Sequence, residues 1–228
     1  MNKAEQELLD NELIDDAWQN DLDGVKECLA RGAALDAEDY VGSNPLIVSV
    51  LVKNPEVADF LIASGINKEH KNHQGYAAIH FAVDDLPTLN SFLKSGANIN
   101  IRAYDGITPL MRAVFRKSSE ATQALLQAGA DINLSGADGR TALMYAVDMV
   151  PECWGSYHNR ELRRLVEAGA DILAKDNEGL TAIDHAANHG LEDAVTYLKQ
   201  CALEKELSGF KKGLAHPIKA TRPIGFKP

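Results

Sequence analysis

Asp105-Gly-Ile-Thr-Pro-Leu-Met-Arg-Ala-Val-Phe-Arg-Lys-Ser-Ser-Glu-Ala-Thr-Gln-Ala-Leu-Leu-Gln-Ala-Gly-Ala-Asp-Ile-Asn133 reads as one complete supersecondary unit. Gly106 supplies a turn conformation that a Cβ would resist. Thr108 offers a side-chain oxygen to cap a helix, and Pro109 takes the first helical position, where its missing N–H costs nothing. Leu110, Ala113 and Val114 then form an apolar stripe at i, i+3 and i+4. A second helix follows Lys117-Ser118-Ser119, with Ala121, Ala124, Leu125 and Ala128 as its inner face, and Gly129 closes it as a left-handed cap. Two helices this short cannot bury their own faces, so the unit needs copies of itself on either side.

The copies are present. A helix-closing glycine recurs at Gly32, Gly65, Gly96, Gly129 and Gly169, at spacings of 33, 31, 33 and 40 residues. The turn glycine recurs independently as Gly42, Gly75, Gly106, Gly139 and Gly179, with the same four spacings. Between them stand Asn44-Pro-Leu-Ile47, Ala77-Ala-Ile-His80, Thr108-Pro-Leu-Met111, Thr141-Ala-Leu-Met144 and Thr181-Ala-Ile-Asp184. This pattern resembles the ankyrin repeat, with its period of about 33 residues and its Thr-Pro-Leu-His signature. The resemblance covers roughly residues 11 to 203 as six repeats, the outer two serving as caps. It implies an all-α solenoid of helix-turn-helix units joined by short β-turn fingers. Residues 1–10 read as a polar lead-in or a helical extension, with Asn11 capping the first repeat, and residues 204–228 as a basic tail, flexible or laid along the array as an irregular strand.

The departures from the period are informative. Repeat three is two residues short, and the loss falls at the end of its inner helix near Asp84-Asp85. Repeat five is seven residues too long, with the excess around Val150–Ser156, between its two helices. That insertion carries Trp154, one of two tryptophans. Insertions in such arrays emerge as loops, often on the binding face.

Composition limits the function. Hydrophobic residues make up 45% of the 228, enough for a continuous core. Three widely separated cysteines, Cys28, Cys153 and Cys201, argue for a reducing compartment rather than a disulfide framework. No run approaches a membrane span and the N-terminus has no signal-peptide core, so a cytoplasmic location is expected. Net charge is −10; residues 204–228, with five Lys, one Arg and two Glu, hold +4, leaving −14 for residues 1–203. An acidic array repels phosphate backbones and favours encounter with a basic protein surface.

Candidate chemistry is thin. His185 and His189 share a helix face at a spacing of four, but no third metal ligand stands at a suggestive position, and a structural role is expected. Cys153 and His158 lie near one another in the insertion without an orienting acid. Asp15-Asp16 and Asp84-Asp85 read as solvated faces, and no glycine-rich phosphate loop is present. Neither a catalytic residue nor a cofactor, metal or small-molecule substrate is indicated. The resemblance implies a surface instead: finger tips and inner-helix ends lining a concave face that binds another protein. Carried over position by position, this selects Tyr40, Val41, Leu51 and Val52 from repeat two, and His73 and Tyr76 from repeat three. Repeat four gives Tyr104, Asp105, Phe115 and Arg116; repeat five gives Arg140, Met149 and, in the insertion, Trp154. The competing role for the aromatics is filling gaps between repeats. An interaction module and a dedicated inhibitor of a partner enzyme or toxin both fit such a face.

Overall fold

The computed structural model describes residues 2–148 and 156–214, without the side chains of residues 156–159 and 208–214. Six helix pairs follow one another. They are α1 (Lys3–Gln19) with α2 (Leu22–Ala30), α3 (Pro45–Leu51) with α4 (Pro55–Ala63), and α5 (Ala78–Ala82) with α6 (Leu86–Lys94). Then come α7 (Pro109–Phe115) with α8 (Ser119–Gln127), α9 (Ala142–Asp148) with α10 (Ser156–Glu167), and α11 (Ala182–Asn188) with α12 (Glu192–Leu214). The odd-numbered helices form an inner row in which each packs on the next, and α2, α4, α6 and α8 form an outer row. No strand is present among the described residues; the fingers hold only the isolated antiparallel bridges Lys71–Ala77 and Ser135–Thr141.

The helices start where the sequence places their caps. The side chains of Asn44 and Thr108 accept from the backbone N–H groups of Ile47 and Met111, at 3.0 and 3.3 Å. Such a cap contributes about 1 kcal/mol. Pro45 and Pro109 follow at the first helical position. Apolar side chains then turn inward: Leu46, Ile47, Ile79, Leu110, Leu143 and Leu125 are fully buried, and one cluster runs from Leu9 to Leu198. A continuous core shared between neighbours is what lets nine-residue helices persist.

Period defects map onto helix lengths. α5 has five residues where α3, α7, α9 and α11 have seven, which accounts for the two missing from repeat three. α10 has 12 residues where α4, α6 and α8 have nine, so the outer helix absorbs part of the excess in repeat five. Residues 149–155 of the insertion, including Met149, Cys153 and Trp154, lie outside the described residues, as do the side chains of Tyr157 and His158.

At the N-terminus the lead-in is a helical extension, and only the cap assignment is overturned. Asn11 is not a cap but an exposed residue inside α1. The cap is Asn2, paired with Glu5 in a reciprocal capping box, and Leu9 extends the buried stripe of Leu13 and Ala17 by one turn. The lead-in is thus part of the first inner helix. At the other end α12 continues past 203 to Leu214, through Glu204–Leu207, which holds no glycine or proline, and on across Gly209 and Gly213. Lys205 donates to the carbonyl of Ala170 at 2.7 Å, but Leu203 and Leu207 are both more than half exposed. Truncation after Leu207 is therefore expected to leave the array folded, with a melting temperature within a few degrees of the full chain. Loss of the cooperative helical transition on truncation would show that residues beyond Leu207 carry part of the core.

Candidate functional site

Each finger is built around a turn closed by a glycine with positive φ, and an Asx side chain organises several of them. Asp39 accepts from the N–H groups of Val41 and Ser43, Asn72 from Gln74 and Tyr76, and Asp176 from Glu178 and Leu180. In repeat four Ala103 stands at this position, and Asp105 takes over by accepting from Ile107 N–H. Backbone hydrogen bonds tie the fingers of repeats two and three, four and five, and five and six: His73 N–H to Val41 O, Ala137 N–H to Asp105 O, and Asn177 N–H to Asp138 O, at 2.8 to 3.0 Å. The Tyr76 side chain joins those of repeats three and four through Asp105. The finger row is consequently a continuous surface next to the inner helices.

The sequence-selected residues divide on this surface into two groups. Tyr40 is 92% exposed and Tyr104 70%, and Phe115, Val41 and Leu51 are also exposed, as are His73, Asp105 and Arg116. Val52 is half-buried at the end of α3. Tyr76 and Arg140, by contrast, are spent on holding repeats together. The Tyr76 hydroxyl donates to Asp105 of the next repeat at 2.5 Å, and its ring meets that of His80 edge-on at 5.3 Å. Burial, reinforced by the Asp105 carboxylate, pushes the Tyr76 phenol up to about 12. Arg140 lies 2.7 Å from Asp148 and under 4 Å from Asp138 and Asp176. The gap-filling role therefore holds for Tyr76, while Tyr40, Tyr104 and Phe115 remain open to solvent.

Asp15 is exposed, whereas Asp16, Asp84, Asp85, His185 and His189 have structural partners. Asp16 accepts from the Cys28 thiol, which burial and that carboxylate push up to about 12. Asp84 receives the Nε–H of Arg116, and Asp85 caps α6 through Thr88. His185 is buried with one ring nitrogen 2.7 Å from Asp176 and the other 3.0 Å from Asp148, and His189 reaches the same Asp148 at 3.2 Å. Among the described residues no group of three or more His, Cys, Asp or Glu side chains is placed to hold a metal ion. No helix there is long and apolar enough to cross a membrane.

Fingers and inner helices of repeats three to five also enclose a cavity of about 260 Å³. Tyr76, Asp105 and Ile107 come from the fingers, and Met111, Arg112, Phe115 and Tyr145 from α7 and α9. The position-by-position reading missed Arg112, Met111 and Tyr145. Phe81, Arg112, Tyr145 and His185 each stand four residues after the capping position of their repeat. Down this column the sequence places Arg112 one repeat after Phe81, on whose ring it stacks.

Comparison with known proteins gives a consistent picture. Residues 84–157 match the family model for ankyrin repeats (3 copies), and residues 138–177 match that for a single ankyrin repeat. The mouse NF-kappa-B inhibitor delta is 32% identical over 92 residues, which are 39% of this chain and 28% of that protein; the chain thus spans under a third of it. An ankyrin repeat domain from Acinetobacter baumannii superimposes with a TM-score of 0.75 at 26% identity, covering 83% of this chain and 97% of that one. A chain from the complex of a predatory endopeptidase of Bdellovibrio bacteriovorus with an immunity protein gives a TM-score of 0.66 at 29% identity, covering 83% and 97%.

Proposed function

We propose that this chain, an ankyrin-repeat protein, binds a partner protein against its concave face and performs no catalysis itself. One observation carries the reading. Among the described residues of repeats two to five, every exposed large hydrophobic side chain sits at a finger tip or an inner-helix end: Tyr40, Val41, Leu51, Tyr104 and Phe115. None of them lies on an outer helix. Exposed apolar side chains gathered on one face mark an interaction surface, and aromatic anchors dominate the energy of such surfaces. The charge of −14 on residues 1–203 favours a partner presenting a basic surface around those anchors. The free thiols of Cys28 and Cys201 suit the reducing cytoplasm.

A second reading is a dedicated inhibitor that occludes a partner enzyme or toxin. It draws on similarity to the inhibitor delta protein and to the endopeptidase–immunity protein complex. Both readings use the same face; they differ in whether the bound partner loses activity.

Tyr104→Ala combined with Phe115→Ala is expected to weaken binding of a partner isolated from native lysate by about 2 kcal/mol or more, roughly thirtyfold. Because both side chains are exposed, the melting temperature should move little. Isothermal titration beside a thermal melt checks both parts. Wild-type affinity in the double variant would refute the concave-face assignment.

A further inference from the structure

Arg112 differs from the other arginines of this face. Arg116 is matched by Asp84, and Arg140 by Asp138, Asp148 and Asp176. Arg112 is half-buried and makes no ion pair among the described residues; its guanidinium meets the Tyr76 hydroxyl, but its Nε finds no partner there. It is also held by stacking, 5.1 Å from the Tyr76 ring centre and 4.7 Å from that of Phe81. Its Nε is fully buried without an acceptor. A guanidinium carries five donors and no acceptor, and leaving them unmatched in a partly desolvated site is costly. The stacked rings fix its position ahead of any ligand.

Asp105 faces the same cavity and makes no ion pair among the described residues. It accepts from the Tyr76 hydroxyl and from Ile107 N–H, which leaves a carboxylate with lone pairs to spare. The two opposite charges are anchored on one tyrosine, one on its ring face and the other on its hydroxyl, yet they do not pair with each other. Locally the cavity is neutral but dipolar: a donor fork, an acceptor, and apolar walls from Ile107, Met111 and Phe115. A lone anion would meet Asp105, and a lone cation would meet Arg112. An amide unit satisfies both, since its carbonyl accepts and its N–H donates.

We propose that this cavity is the anchor pocket for an extended segment of the partner polypeptide. An apolar partner side chain fills the space beside Ile107 and Phe115, and an adjoining backbone amide lies across Arg112 and Asp105. This rests on the concave-face reading above and names the part of the partner that the face grips. The pocket size suits a leucine-sized side chain with its flanking peptide units rather than a folded surface alone.

The test uses small probes on the full chain. N-acetyl-leucine methylamide presents both amides, N-acetyl-leucine replaces one amide with a carboxylate, and isoamylammonium offers a cation of similar apolar size. Each is titrated to about 20 mM, because fragments this small bind no tighter than roughly millimolar. The readout is the Arg112 Nε–H resonance, assigned by its loss in Arg112→Met, together with the Phe115 amide. The diamide is expected to shift both. The Phe115 shift should vanish in Arg112→Met and fall at least about fivefold in Asp105→Asn, which keeps the turn acceptor but loses the second oxygen. Tenfold tighter binding of N-acetyl-leucine would make the site an anion pocket, and preference for isoamylammonium would make it a cation pocket; either overturns the proposal. So would silence with all three probes. Should Tyr104→Ala/Phe115→Ala abolish partner binding while Arg112→Met and Asp105→Asn leave it unchanged, the pocket proposal fails and the concave-face reading stands.

Discussion

Lowering the pH from 7 to 5 is expected to remove about 2 kcal/mol of folding stability through one side chain, His80. Its ring is fully buried beneath the finger of repeat four. Nε2–H donates to the carbonyl of Ile107 at 3.0 Å, and Nδ1 accepts the N–H of Ala77 at 3.1 Å. With one nitrogen donating and the other accepting, the fold selects a neutral tautomer. Burial drives its pKa down to about 4, outweighing the backbone hydrogen bonds to Ile107, Ala77 and Ile101. The unfolded chain, near 6.5, binds more protons than the folded one between these two values. Stability from His80 is therefore complete above about pH 6.5, declines as the pH falls, and is spent near pH 4, for a total of roughly 3 kcal/mol. His80→Asn should be less stable at pH 7 and lose less on acidification. Urea unfolding of both proteins at pH 7 and pH 5 isolates the effect, since the other titrating groups are common to both. Parallel losses in the two would show that His80 is not the group responsible.

His80 also explains why repeat three tolerates a missing cap. Ala77 stands where Thr108 and Thr181 use their side-chain oxygens, and it has none to offer. The imidazole takes the cap residue's own N–H and at the same time reaches across to the next repeat. One ring thus joins local helix initiation to packing between repeats.

Features fixed by local chemistry were legible in the sequence. Paired glycines set the register, and Asn44, Thr108 and Pro109 set where inner helices begin. The two-residue deficit of repeat three was readable as a shorter inner helix. What is not legible depends on neighbours. Asn11 looked like a cap because it precedes an apolar stripe, but Asn2 and Glu5 form a better box one helix-length earlier. Nothing in Glu204–Leu207 marks a helix end, while the glycines and prolines further along suggest an irregular tail; the helix runs on past two of those glycines, Gly209 and Gly213. Tyr76 was selected as a groove residue for its position, whereas its hydroxyl is committed to Asp105, 29 residues away. Within its own repeat Arg112 is one polar residue on a short helix, with nothing to distinguish it. Its significance arises only from Tyr76 and Phe81 of the preceding repeat.

The sequence presents the two glycines of each repeat as equivalent markers, and the structure separates them. Both Gly106 and Gly129 have positive φ, 77° and 87°. Around Gly129 a Cβ would meet nothing within 4 Å, so Gly129→Val should cost only the backbone term, about 1 to 2 kcal/mol. At Gly106 the same Cβ would lie 2.5 Å from the backbone nitrogen of Ala137 and 2.8 Å from the carbonyl carbon of Gly136. Those atoms belong to the next finger, and Ala137 N–H is the donor to Asp105 that joins the two repeats. No side chain can swing away to make room; the fingers themselves must part. Gly106→Val is therefore expected to cost about 3 to 5 kcal/mol, from backbone strain, overpacking and a lost inter-repeat hydrogen bond together. In a solenoid that loss falls on one interface, so the transition should split or broaden rather than only shift. Chemical denaturation of the two variants side by side measures the difference. Equal destabilisation by Gly106→Val and Gly129→Val would mean that the close approach of the fingers contributes nothing beyond φ.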